Sequence, residues 1–253
     1  MKGLFDVNAF WGHWPFSTRP PMALAEMERR LRRAGVAEAC VSPLEAVFAP
    51  EPMPANERLF AAVRGRSAWH PVPIVNPALA DWREQVRRCV GPARVRALRL
   101  LPNYHGCRLN PRKLAPFMSE VAAAGVALVV TVRLVDERQE YHALNMKGVA
   151  LAELAEFANA FGSRRLLLTG LYREEIRRLA ELTGHFATDL SFAEGLRTVE
   201  AVREFLPVNR ILFGSAFPLF SVDAQAPKVT CSSLRVADRI RVASGNARQI
   251  FAP

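Results

Sequence analysis

The sequence predicts an α/β protein, a single (β/α)8 TIM barrel covering residues 1–253, with extra helices at the C-terminus. Three observations carry this. Short apolar runs alternate with amphipathic segments from one end of the chain to the other, eight such runs can be counted, and 253 residues match one closed barrel. Strands separated by helices need right-handed crossovers, which give a parallel sheet.

The expected strands are Leu4–Phe10, Ala39–Ser42, Val72–Val75, Val95–Leu101, Ala127–Leu134, Arg165–Thr169, Phe186–Ser191 and Arg210–Ser215. Their β-branched and leucine-rich runs suit strands buried on both faces. Amphipathic segments lie near 22–34, 55–65, 80–90, 111–124, 149–161, 172–183 and 195–205, and a helical pair near 234–242 and 244–251 closes the chain. The proline-rich stretch Ala49–Pro54 is expected to be a loop after the second strand. No linker, repeat or low-complexity tract divides the chain.

Half the residues are hydrophobic, enough for a large core, yet no apolar run approaches the roughly 20 residues needed to span a bilayer. The start Met1-Lys2-Gly3-Leu4-Phe5-Asp6 reaches an acidic residue at once and offers no signal-peptide core, so a soluble cytoplasmic protein without membrane contact is expected. Cys40, Cys89, Cys107 and Cys231 are scattered and suggest neither a zinc knuckle nor a disulfide framework. The net charge of +10 comes mostly from arginines in segments such as Glu28–Arg33 and Arg173–Arg178, where interleaved glutamates and apolar positions describe solvated helix faces. No aromatic RNA-binding strand or basic tail accompanies them, so the charge alone does not argue for nucleic acid. Assembly into a homo-oligomer is left open.

In this fold ligands bind at the C-terminal ends of the strands, so the informative residues follow each apolar run. Three stretches there, and one at the end of the chain, resemble the amidohydrolase-related family of metal-dependent hydrolases and decarboxylases. Phe5-Asp6-Val7-Asn8-Ala9-Phe10-Trp11-Gly12 lies where that family carries D-x-H-x-H followed closely by Gly. The segment 97–106, Ala-Leu-Arg-Leu-Leu-Pro-Asn-Tyr-His-Gly, is similar to its fourth strand and loop. Ile211-Leu212-Phe213-Gly214-Ser215-Ala216-Phe217-Pro218 resembles the G-S-D-x-P that ends its eighth strand, and Gly245–Phe251 its closing G-N-A-x-x-x-F helix. The resemblance covers nearly the whole chain and implies the same barrel.

Against that pattern the metal ligands are replaced. Asn8 and Phe10 stand for the two histidines of strand one and Ala216 for the aspartate of strand eight. Strand five ends Thr131-Val132-Arg133 and strand six Leu166–Thr169, neither with histidine. An amide, a phenyl ring and a methyl group cannot supply the three or four N, S or O donors of a zinc-type site, so no metal and no other cofactor is expected. His13, His105 and His142 fall in βα loops and follow no known ligand spacing; His70 and His185 read as structural.

Asp6, His105 and Asp189 are the candidate catalytic groups, as carriers of protons. Asn8, Trp11, Arg99, Asn103, Arg133, Arg138 and Ser215 are the candidate substrate-binding residues, with the three arginines holding a small anion. Period-two alternation places Asp6, Asn8 and Phe10 on one face of strand one, and Asp6 as a partner for Arg99 or Arg133. The charged run 133–140 lies over the barrel mouth, and Trp11, His13 and Trp14 crowd the first loop. Three functions fit these residues: a metal-independent hydrolase or decarboxylase acting on a small anionic compound, a catalytically inactive relative that binds a ligand or protein partner, and a basic binder of nucleic acid or another polyanion.

Overall fold

A computed structural model describes residues 3–18, 20–91, 95–138, 141, 146–163 and 165–252. Eight parallel strands run in chain order: β1 (Leu4–Trp11), β2 (Val36–Pro43), β3 (Trp69–Pro71), β4 (Ala97–Leu100), β5 (Ala127–Thr131), β6 (Leu166–Thr169), β7 (Ala187–Asp189) and β8 (Ile211–Leu212). Strands β1–β3 and β4–β8 each form a regular sheet. Backbone hydrogen bonds join the two at both edges. Between β3 and β4, Arg99 N donates to Pro73 O (2.9 Å) and Val75 N to Arg99 O (3.0 Å). Between β8 and β1, Val7 N donates to Phe213 O (3.0 Å) and Ala216 N to Asn8 O (2.7 Å). Closure removes the sheet edges, as in a (β/α)8 barrel.

Helices follow the strands: α1 (Leu24–Arg33), α2 (Met53–Val63), α3 (Trp82–Val90), α4 (Pro111–Ala123), α5 (Leu151–Phe161), α6 (Arg173–Leu182), α7 (Thr198–Arg203), α8 (Val222–Thr230), α9 (Val236–Ile240) and α10 (Asn246–Ile250). The longer helices lay an apolar stripe on the barrel; α1 buries Leu24, Met27 and Leu31 at the i, i+3, i+7 spacing. The Asn110 side chain caps α4 by accepting from Arg112 N and Lys113 N. A π-helical turn, Arg241–Gly245, joins α9 to α10. Among the described residues no helix is long and apolar enough to cross a membrane.

Two elements differ from the sequence reading. The ladder of β3 begins at Trp69, ahead of the expected Val72–Val75, and beyond Pro71 it continues only as a bridge between Ile74 and Arg99. Pro71 and Pro73 lack the N–H groups a continuous ladder needs. Helix α8 was not expected, since its sequence carries Pro227 and a weak apolar stripe.

The barrel interior is layered. Phe5, Val7, Val129, Leu167, Leu212 and Phe251 fill the N-terminal end. The C-terminal end is closed by an apolar group that includes Phe10, Leu44, Ile74, Leu101 and Leu134, with Trp14 and Tyr104 packed against it. Between the two lies a layer of polar side chains.

Candidate active site

That layer consists of Asp6 and Asn8 from β1, Arg99 from β4, Thr131 from β5, Thr169 from β6, Asp189 from β7, and Ser191 and Ser215 just after β7 and β8. All are at most 2% exposed. Inward alternation brings Arg99 and Thr131 to the axis. β1 does not keep strict alternation, because its register against β2 shifts between Asp6 and Ala9. Asp6 therefore pairs sideways with β8 and with neither Arg99 nor Arg133. Its Oδ1 accepts from Ser215 N (3.0 Å) and Asn8 N (3.0 Å), and its Oδ2 accepts from Ser215 Oγ.

A hydrogen-bonded chain crosses the barrel. Arg99 Nη1 donates to Asn8 Oδ1 (2.8 Å) and to Thr131 Oγ1 (2.8 Å), and Thr131 Oγ1 lies 3.0 Å from Thr169 Oγ1. Asn8 Nδ2 donates in turn to Asp189 Oδ2 (3.1 Å), which also accepts from Ser191 N (3.3 Å). Gly214 makes room for this carboxylate: a Cβ there would fall 2.4 Å from Asp189 Oδ2. The guanidinium of Arg99 also stacks on Phe10, with Cζ 4.5 Å from the ring centroid.

Electrostatics in this layer are dominated by burial. Desolvation pushes the Asp6 carboxyl up to about 6, against the hydrogen bonds from Ser215 and Asn8. Desolvation also lowers Arg99, to about 10, which leaves it a cation at neutral pH. Arg99 forms no ion pair among the described residues, and its Nε and Nη2 have no hydrogen-bond partner there. Each unmet donor of a buried group costs about 1–3 kcal/mol.

The amidohydrolase-type metal site does not fit these residues. Asn8 and Phe10, at the positions that resemble the histidine pair, are both in contact with the Arg99 guanidinium. Ala216 has only a methyl group, and Thr131 and Thr169 hydrogen-bond to each other. Among the described residues no three His, Cys, Asp or Glu side chains converge.

The remaining candidates lie outside the layer. Arg133 is 4% exposed and fully engaged: Glu175 Oε1 and Oε2, Glu137 Oε1 and the Gly170 carbonyl accept from it, and its Cζ stacks 4.2 Å from the Tyr172 ring centroid. Arg138 is exposed and forks onto Asp136 (2.9 and 2.7 Å), which holds that carboxyl down to about 2. His105 Nε2 sits 3.1 Å from Ala46 O, and burial lowers its pKa. Asn103 Nδ2 donates to Val132 O (3.4 Å) and to Lys147 O, and Trp11 Nε1 to Met22 O (3.1 Å). His13 N donates to Glu45 Oε1 (3.0 Å). His142, with Gln139 and Glu140 of the charged run, lies outside the described residues.

Sequence reasoning did not single out Thr131 and Thr169 as members of the layer or Glu175 as the partner of Arg133. Thr131 was legible, since it precedes Arg133 on the same strand face. Sequence reasoning anticipated Trp14 among the aromatic residues of the first loop, but not Phe16, Phe48 and Tyr141 beside it. Trp14, Phe16, Phe48, Tyr104 and Tyr141 form a continuous set of ring contacts with centroids 5.4–5.7 Å apart.

No protein-family model matches the sequence, and no curated protein matches it. Solved structures do. 5-Carboxyvanillate decarboxylase from Sphingomonas paucimobilis is 13% identical, with 99% of each chain covered and a TM-score of 0.76. A putative amidohydrolase from Staphylococcus aureus is 9% identical over 99% of each chain, with a TM-score of 0.74. A dihydroxybenzoic acid decarboxylase from Polaromonas, with bound manganese and the inhibitor 2-nitroresorcinol, is 16% identical over 99% of this chain and 97% of that one, with a TM-score of 0.70. This chain has the fold of the amidohydrolase-related (β/α)8 barrels.

Proposed function

We propose that this protein is a metal-independent hydrolase or decarboxylase that acts on a small carboxylic acid at the C-terminal face of the barrel. One observation carries the reading. A buried cation, Arg99, and two buried carboxylates, Asp6 and Asp189, share the polar layer inside the barrel, while no three His, Cys, Asp or Glu side chains converge among the described residues. Asp6, with its carboxyl near 6, exchanges a proton close to neutral pH and suits general acid–base work. In a decarboxylation the bond from carbon to carboxylate breaks, carbon dioxide leaves, and a proton from Asp6 takes its place. In a hydrolysis the ionised carboxylate would take a proton from attacking water.

Among the similar solved barrels are decarboxylases of dihydroxybenzoate and carboxyvanillate, so aromatic acids are the first substrates to try. Chelator-treated protein is incubated with hydroxybenzoic acids and with acidic lactones and amides, and product is followed by chromatography. Turnover that survives the chelator and is lost in Asp6→Asn supports the reading. No turnover across the panel, or turnover only after metal is added, defeats it.

A second reading is favoured by the packing of Phe10, Ile74, Leu101 and Leu134 over the polar layer. In it the protein is catalytically inactive and binds a ligand or partner. The same panel separates the two, since binding without product selects this one. The polyanion reading is the weakest: Arg29 and Arg30 pair with Glu26, Arg32 with Glu28, and Arg177 and Arg178 with Glu174, each within one helix.

A further inference from the structure

The hydrogen bonds of Arg99 are divided in a specific way. Nη1 spends its two N–H bonds on Asn8 Oδ1 and Thr131 Oγ1. The two nitrogens without a partner, Nε and Nη2, are neighbours on one edge of the planar guanidinium. Their N–H bonds run parallel, the arrangement that receives both oxygens of a carboxylate at once. Both atoms are shielded from solvent, so the edge is not satisfied by bulk water. The side chain cannot turn to meet another acceptor, because Nη1 is fixed at two points and Phe10 covers one face. Two residues after Arg99 and just beyond β4, Leu101 is apolar and buried.

We infer that the Nε–Nη2 edge of Arg99 is a carboxylate-binding site, and that this guanidinium provides the fixed positive charge of the barrel mouth from between Asn8 and Phe10. The site takes the carboxylate of a planar acid on the fork, and the acid enters as Phe10, Leu101 and Leu134, which close this end of the barrel, part around its apolar body. The inference deepens the reading of the barrel mouth given above and rests on it for location, but does not require turnover. Arg99 and Asp6 are the titratable groups whose shifts arise in this layer, with Cys40 on β2 and Asp189 on β7 acting on them electrostatically.

The probe is benzoate, with benzamide as a neutral molecule of nearly the same shape. Calorimetry and thermal melting are run on chelator-treated wild type, Arg99→Met and Arg99→Lys. The expected result is that benzoate binds wild type and raises its melting temperature, and that benzamide binds about tenfold or more weakly. Arg99→Met loses the benzoate effect and Arg99→Lys recovers part of it, because an ammonium keeps the charge without the fork. Should Arg99→Met not fold, the contrast of benzoate with benzamide in wild type and the partial recovery in Arg99→Lys decide the matter. The inference is overturned if wild type does not bind benzoate, if benzamide binds as well as benzoate, or if Arg99→Met binds benzoate undiminished. Binding through Arg99 with no product from the acid panel would defeat the enzyme reading and leave this site standing. Turnover with a KM that Arg99→Lys does not change would do the reverse.

Discussion

Arg133 and Glu175 meet fork to fork, Nη1 to Oε2 at 2.5 Å and Nη2 to Oε1 at 2.7 Å. Glu175 Oε2 also accepts from Tyr172 N at 2.8 Å, so one carboxylate both caps the start of α6 and holds the end of β5 against it. Arg133→Ala leaves that carboxylate without its partner and removes the stacking on Tyr172. We expect a loss of about 3–5 kcal/mol in urea unfolding, with benzoate binding by the folded fraction unchanged. Loss of binding with stability retained would instead place Arg133 in the ligand site.

Asp6 binds its proton more tightly folded, near 6, than unfolded, near 3.8. Folding therefore takes up a proton between those values. The stability this adds is full below pH 4 and is lost as pH rises through 6. Between pH 4.5 and 7.5 the stability of wild type relative to Asp6→Asn should fall by about 2 kcal/mol. Urea titrations at the two pH values measure it, and a flat difference would show an ordinary carboxylate at this position.

Ser215 opposes that shift through its hydrogen bonds to both oxygens of Asp6. Ser215→Ala removes the hydroxyl donor and keeps the backbone one. The Asp6 titration, followed by carboxyl-carbon NMR, should then move further up, and an unchanged or lower midpoint would contradict the assignment of partners.

Gly214→Ala sets a Cβ against Asp189, 2.4 Å from Oδ2 and 2.7 Å from its Cβ, so the clash cannot be relieved by turning the carboxylate alone. A stability loss of about 1–3 kcal/mol is expected from overpacking, together with weaker benzoate binding through the displaced Asn8. An alanine variant that melts and binds like wild type would show this layer to be looser than the packing implies.

Much of the barrel was legible because strand and helix periods alternate through the chain, and apolar runs such as Ala127–Thr131 and Leu166–Thr169 lie between clear amphipathic segments. β3 was harder, since Trp69, His70 and Pro71 do not form an apolar run and the more apolar Val72–Val75 carries Pro73. Helix α8 was hidden by Pro227. Within the site, alternation placed Asn8 and Phe10 on one face of strand one and Arg99 with Leu101 on one face of strand four. The family resemblance implied that these faces point inward. The partners were not legible: Glu175 lies 42 residues from Arg133, and the register shift that turns Asp6 to Ser215 leaves no mark in the sequence.

The most direct test of the central claim, that Asn8 and Phe10 pack on the Arg99 guanidinium at positions resembling a metal-binding pair and hold no metal, is metal stoichiometry. Purified protein is incubated with manganese or zinc, desalted, and analysed by elemental mass spectrometry beside Arg99→Met. The account predicts no stoichiometric metal in wild type, because no three His, Cys, Asp or Glu side chains converge among the described residues and a buried positive charge repels a cation. One tightly held ion per wild-type chain would contradict it.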